Sequence, residues 1–282
     1  MRNWIQIRRR ITHYTAMTLA CIAMVCGLSF LFMILWTLTA NGIKALSWET
    51  LSQMTPPPGD KGGLLNAIYG TVMLTALGTA IGTPIGILAG TYLSEYSLRK
   101  GGFGSGVRFI NSILLSTPSV VMGFFIYAFV VTRMGHFSAF AGTIALALIL
   151  VPIVTNSTEN MLKLVPSSLR EASAALGAPK WRTTLMVVYP SAKAGLLTGV
   201  LLGIARISGE SAPLLFTALN NQFWSSDLSK PMANLPVTIF QFAMSPYEDW
   251  QRLAWTGALL ITFGVLFLNI LARILVRRNA VR

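Results

Sequence analysis

Charge is what this sequence has least of: of its 282 residues, 11% are Asp, Glu, Lys or Arg, against 54% hydrophobic ones. So little polar surface cannot coat a water-soluble globule, so the composition excludes one and points to a chain solvated by lipid. Cysteine is nearly absent. Cys21 and Cys26 stand five apart in one apolar run, on different helix faces, which excludes a disulfide framework or thiolate metal site and leaves them as small apolar filler. His13 and His136 are isolated, with no HExxH, CxxC or carboxylate cluster near them, so no metal and no catalytic centre is assigned. The phosphate-cradling pattern Gly-x-x-x-x-Gly-Lys-[Ser/Thr] is missing too, and Gly59-Asp-Lys-Gly-Gly63 has the wrong spacing for it. The chain is therefore expected to bind no cofactor and to hydrolyse no ATP itself.

What is present is six long apolar runs, near 14–38, 65–92, 109–132, 137–162, 194–219 and 253–276, each matching the roughly 20 residues that cross the hydrocarbon. They lack the alternation of barrel strands. The expected fold class is an all-α integral membrane protein with six transmembrane helices. The first run is too long for the apolar part of a signal peptide and no small-residue cleavage pattern follows it, so it is read as a retained helix.

Most of the 22 Lys and Arg fall in 1–13, 94–108, 163–193 and 273–282, whereas the opposite connections hold only Lys44, Lys61, Arg133, Lys230 and Arg252. By the positive-inside rule both termini are cytoplasmic. The same rule accounts for the net charge of +13 and pI near 10.4 without nucleic acid. Arg8, Arg9 and Arg10 read as a stop against the inner headgroups.

The inner connection at 163–193 has a helical design. Ser168-Leu-Arg-Glu171 fits a capping box, Gly177 suits a left-handed helix end, and Pro179 forbids continuation. A second short helix over 180–189 is expected to stop at Pro190. Ala172, Ala174 and Ala175 leave a surface that a partner's backbone can approach closely, or one that packs on the chain's own bundle. A DNA-reading helix pair is excluded, because an insert tethered between two spans has no free face for a duplex.

Glu171, Ala172, Gly177 and Pro190, so placed between membrane spans, resemble the loop of bacterial ABC importer permeases that forms a coupling helix seated in an ATPase subunit. A narrower resemblance, to inner-membrane permeases of the phosphate-specific transport system, lies in Ala205-Arg-Ile-Ser-Gly-Glu-Ser-Ala-Pro-Leu-Leu-Phe216, Asn234-Leu-Pro-Val-Thr-Ile-Phe240, Pro118-Ser-Val-Val-Met-Gly123 and the stretch 84–95. It covers nearly the whole chain. The resemblance implies a type I importer permease in a bacterial inner membrane, working with a second permease subunit, two ATPase subunits that use ATP and Mg, and a soluble phosphate-binding protein. Residues 1–64 would carry the N-terminus, first helix and outer loop, and 65–282 a five-helix permease core. Glu171, Ala172, Ala175, Gly177 and Pro190 would form the ATPase coupling set.

Arg206 points to an anion path on its own physics. Lying about 12 residues into the fifth run, it would be roughly 18 Å deep, where a guanidinium needs a partner and a wet or protein-lined surrounding. Glu210 is that partner at i+4. Either the two form a permanent structural salt bridge, or Arg206 grips passing phosphate through paired N–H donors while Glu210 keeps the grip loose. A carboxylate can also accept a proton from a phosphate oxygen, which fully ionised sulfate does not offer. Ser208 is assigned to the same path. Asn156 stands where the phosphate permeases commonly have an arginine; it can bond phosphate but adds no charge. Glu159 either touches substrate or anchors the inner loop.

Two further patterns are structural. Gly78, Gly82, Gly86 and Gly90 recur at four-residue intervals around Pro84, a small-residue ridge for close helix packing. Ser116-Thr-Pro-Ser119 places a proline within the third run with hydroxyls to satisfy the freed carbonyls, at a hinge or along the pathway. Two other transport readings remain open: a proton-coupled secondary transporter using Glu159 and Glu210, and an importer of another oxyanion such as sulfate or molybdate.

Overall fold

The computed structural model describes residues 2–97 and 102–280. Basic residues Arg99, Lys100 and Arg282, used above for orientation, lie outside the described residues. Among those described, all regular structure is helical. Five helices are long and apolar enough to cross a membrane, or six if one sharply bent pair forms a single span.

The long elements are α1 (Arg2–Ala45), α2 (Leu65–Tyr96), the bent pair α3 (Phe103–Ser116) and α4 (Ser119–Met134), and α5 (Ala139–Lys163). They continue with the short α6 (Ser167–Ala175), α7 (Lys180–Ser208), the short α8 (Leu235–Ala243) and α9 (Glu248–Ala280).

α5 is the hub. Its apolar side is buried on two neighbours at once, and both contacts depend on missing side chains. The α2 glycine ridge lies on α5: a methyl added at Gly82 would sit 3.1 Å from the Ala147 carbonyl, and one at Gly86 would sit 2.7 Å from Val154 Cβ. The packing role expected of this ridge is thus what the structure shows. A second ridge, Gly195, Gly199 and Gly203 on α7, meets Met161, Ser157 and Leu150 of α5. It recurs at the same four-residue interval and went unnoticed in the sequence. Leu74, Leu146, Leu150, Val154 and Ile207 fill the core between these backbones.

The third run is not a straight span. α3 and α4 meet at 106°, with Thr117 and Pro118 at the break. Proline disfavours helix at the residue before it and has no N–H to offer Leu114 O, while the adjacent hydroxyls bond back one turn: Ser116 Oγ donates to Ser112 O at 2.8 Å and Thr117 Oγ1 to Ile113 O at 2.7 Å, a carbonyl shared with Thr117 N.

The fifth run also differs from expectation. Helix α7 starts at Lys180 and stops at Ser208, with Gly209 as its C-cap. Beyond it the chain turns through a four-residue helix, Ala212–Leu215, that packs on α4 where Gly123 leaves room for Pro213. The outer connection then returns through α8, whose N-cap Asn234 accepts from Val237 N at 3.1 Å and donates to Leu219 O at 3.1 Å. Asn66, 3% exposed, ties the outer loops together by donating to Thr55 Oγ1 and to the Asn221 carbonyl. Helix α1 touches this body at its outer end, where Gly42 meets Leu259 of α9, and its apolar length faces outward.

Candidate functional site

Two places gather the candidate side chains: a cleft at the bend of the third span and the face around α6, at the end of the bundle that the Lys and Arg distribution predicts to be inner.

The cleft is built from three elements. Leu114, Leu115, Thr117 and Ser119 come from the α3–α4 break, Ile149, Pro152 and Ile153 from α5, and Arg206 from the last turn of α7. The count from a span beginning at residue 194 does not hold, because α7 begins at Lys180 and ends two residues beyond Arg206. Its depth follows instead from what it faces. Ile149 and Ile153 lie near the midpoint of the 25-residue α5, roughly 19 Å from either end at ~1.5 Å rise per residue. The cleft encloses only about 10 Å³, so an oxyanion needs the walls to part before it can enter.

Arg206 Nε lies 3.6 Å from Glu210 Oε1, longer than a charge-assisted hydrogen bond, and its side chain is 54% exposed. This is a loose pairing between the last turn of α7 and a residue just past its end, Glu210 being tethered by its own backbone N–H to Ile207 O. Asn156 is exposed one helical turn inward of Pro152, and it accepts from Asn160 Nδ2 at 3.4 Å. Asn160 was not singled out in the sequence, although its i+4 spacing from Asn156 extends a polar strip toward the inner end of α5. Ser208 faces elsewhere. Its hydroxyl donates to Ile204 O at 2.7 Å, and the residue lies against Val265 and Leu268 of α9.

Glu159 is held by two cations at the inner end of α5. Arg108 Nε lies 2.7 Å and Lys163 Nζ 2.6 Å from the same carboxylate oxygen, and Arg108 also donates to Leu93 O. These contacts tie α3, α5 and α2 together.

On the inner face, α6 is two-sided. Glu171, Ala172, Ala174 and Ala175 are exposed, while Arg170 and Ser173 turn inward, Arg170 to Glu95 and Ser173 to the Thr183 hydroxyl. The capping box does not form. Helix α6 begins at Ser167 after Pro166, with no side-chain cap, so Ser168 is already helical. Proline fixes the entry φ, and because residues 166–169 are exposed the first N–H groups are left to solvent rather than to a hydroxyl cap. The C-terminal expectation holds: Gly177 has φ +78°, with Gly177 N donating to Ala174 O and Ala178 N to Ser173 O, the paired bonds of a Schellman ending.

Pro190 does not end a helix. A π turn at Thr184–Val188 carries the chain into it, with Tyr189 N donating to Thr184 O, and α7 runs on to Ser208. A widened turn relieves the clash that the pyrrolidine ring makes with the carbonyl four residues back. Sequence spacing does not reveal such a turn.

In the outer loop, Ser229 donates its hydroxyl (2.7 Å) and its backbone N–H (2.9 Å) to Asp227, which holds that carboxyl below the usual carboxylate range.

The sequence pattern of binding-protein-dependent transport system inner membrane components matches residues 82–281. The chain is 56% identical over 266 residues to the phosphate transport system permease protein PstA of Pasteurella multocida, covering 94% of this chain and 95% of that one. It is 56% identical over 271 residues to the protein of the same description from Yersinia pestis, covering 96% and 92%. Among solved structures, a bacterial alginate ABC transporter in complex with an alginate pentasaccharide-bound periplasmic protein matches with TM-score 0.69 and 16% identity, covering 99% of this chain and 98% of that chain. At that identity the likeness shows the fold alone.

Proposed function

We infer the role of this chain from its family, since it belongs to the binding-protein-dependent transport system inner membrane components: it is the permease subunit of an ATP-driven inorganic phosphate importer. ATP hydrolysis lies in separate subunits. The near full-length likeness to phosphate transport permeases carries this reading, and the cleft at Arg206 with the two-sided α6 gives it parts.

The path is completed by a second permease subunit, and two ATPase subunits with their ATP and Mg act below the inner face. A soluble phosphate-binding protein delivers substrate to the outer one. Both termini are cytoplasmic by the distribution of Lys and Arg. Residues 65–282 form the working core, with 1–64 appended to it.

Arg206 is the mid-membrane relay. Its fork of donors matches two phosphate oxygens, and the 3.6 Å pairing with Glu210 leaves it available to an incoming anion. Asn156 and Asn160 continue the polar route inward. Glu159, already paired twice, serves as an anchor of the inner end. Glu171, Ala172 and Ala175 face the ATPase, Gly177 ends that docking helix, and Pro190 acts within α7. ATP binding closes the ATPase pair and moves α6, which rocks the spans until the cleft opens outward; hydrolysis reverses the motion.

The test is reconstitution with ATPase subunits and binding protein in vesicles. Uptake of labelled phosphate should require ATP and persist when the proton gradient is collapsed, with sulfate and molybdate failing to compete. Uptake on a proton gradient without ATP would establish the secondary-transport alternative, and sulfate or molybdate uptake would reassign the anion.

Gly177→Val tests the docking helix. A β-branched residue at φ +78° costs about 1–2 kcal/mol locally, enough to unwind the end of a short helix without unfolding six spans. The expected result is ATP hydrolysis that continues while phosphate uptake drops severalfold; an unchanged ratio of the two would count against docking through α6.

A further inference from the structure

Glu95 is 5% exposed, and a carboxylate that deep survives only when fully partnered. It sits in the π turn that ends α2, closed by Ser97 N donating to Tyr92 O at 3.0 Å. Its partner lies 75 positions away: Arg170 Nη2 bonds Oε1 at 2.7 Å and Nε bonds Oε2 at 3.1 Å. The remaining guanidinium donors reach two carbonyls at the end of α5, Val165 O at 2.6 Å and Leu162 O at 2.8 Å. One side chain of α6 thus grips both α2 and α5. Helix α7 holds the same π turn independently, with Lys180 Nζ 5.0 Å from the centre of the Tyr96 ring and the Tyr189 hydroxyl 2.8 Å from Thr91 Oγ1.

A nine-residue helix hung between a proline and a glycine would swivel when pushed, and its displacement would be lost in its own hinges. A planar fork held at two carboxylate oxygens and two carbonyls fixes direction as well as distance. We propose that Glu95 and Arg170 are positioning residues for energy coupling: their fork is the rigid joint that carries motion of the docking helix into α2 and α5. This rests on the reading of α6 as the surface met by the ATPase.

The experiment uses the whole complex in vesicles and measures ATP hydrolysed per phosphate imported for the wild type, Glu95→Gln and Arg170→Lys. Both variants should co-purify with the ATPase subunits and keep hydrolysing ATP, while the ATP-to-phosphate ratio rises about tenfold, within the usual range of coupling between sites. Arg170→Lys keeps the charge but not the fork, so it reads the joint even where Glu95→Gln fails to fold. Hydrolysis and import falling in proportion, or both variants losing the ATPase subunits, would overturn the proposal and leave the pair a structural bond only. A wild-type complex importing no phosphate on ATP would sink the transport reading itself, a result separate from any effect of the variants.

Discussion

Arg206→Gln is expected to cut ATP-driven phosphate uptake by at least about 100-fold, because hydrogen bonds from a charged group contribute roughly 1.5–3 kcal/mol each and the fork supplies two. The complex should still assemble. The guanidinium stands 3.6 Å from Glu210, too far for a charge-assisted hydrogen bond, so its replacement removes no bond that holds α7 in the body. Arg206→Lys should recover part of the uptake, a point charge replacing a fork. Labelled-phosphate uptake, set against the yield of complex purified through an ATPase subunit, checks both halves. A variant that vanishes from the membrane instead would make the pair structural.

Gly86→Leu should remove the complex altogether. The position faces Val154, whose Cβ lies 2.7 Å from where a first side-chain atom would stand, and the Val151 carbonyl is 3.0 Å from it. Overpacking a filled interface costs about 1–3 kcal/mol for small additions, and here the neighbours are a Cβ fixed to its helix and a backbone carbonyl, neither of which can turn aside. Gly86→Ala should therefore lower the melting temperature measurably, while the leucine variant should leave no protein of native size in detergent. Wild-type melting in both would mean that α2 and α5 do not touch at Gly86.

These two sites differ in how visible they were beforehand. The α2 ridge could be read directly, since four glycines at helical spacing have few other uses in a membrane. The ridge on α7 carries the same signal in Gly195, Gly199 and Gly203, at three positions rather than four and in a helix whose start Pro190 obscures. Gly177 was legible from its place before Pro179, and the hydroxyls around Pro118 from their spacing. The 106° angle was not, because a proline marks where a helix breaks without fixing the angle between its halves. Arg206 drew attention as a lone cation in an apolar run, but its depth comes from the midpoint of α5, and Ser208 turns away because two residues along a helix reverse the face. The Glu95–Arg170 fork had no sequence signal. Nothing in a chain announces that positions 75 apart share a bond.

The twin glycine ridges on α5 bear on how such a membrane body changes shape. Carbonyls of α5 lie against the α2 glycines and side chains of α5 against the α7 glycines, so little slack is left for sliding and α2, α5 and α7 are expected to travel as a single slab. Opening is then confined to the border of that slab, where the broken third span meets it beside Arg206. On the proposed path, a gate there would swing on the bend, and the anion would slip past a door hung on a solid wall.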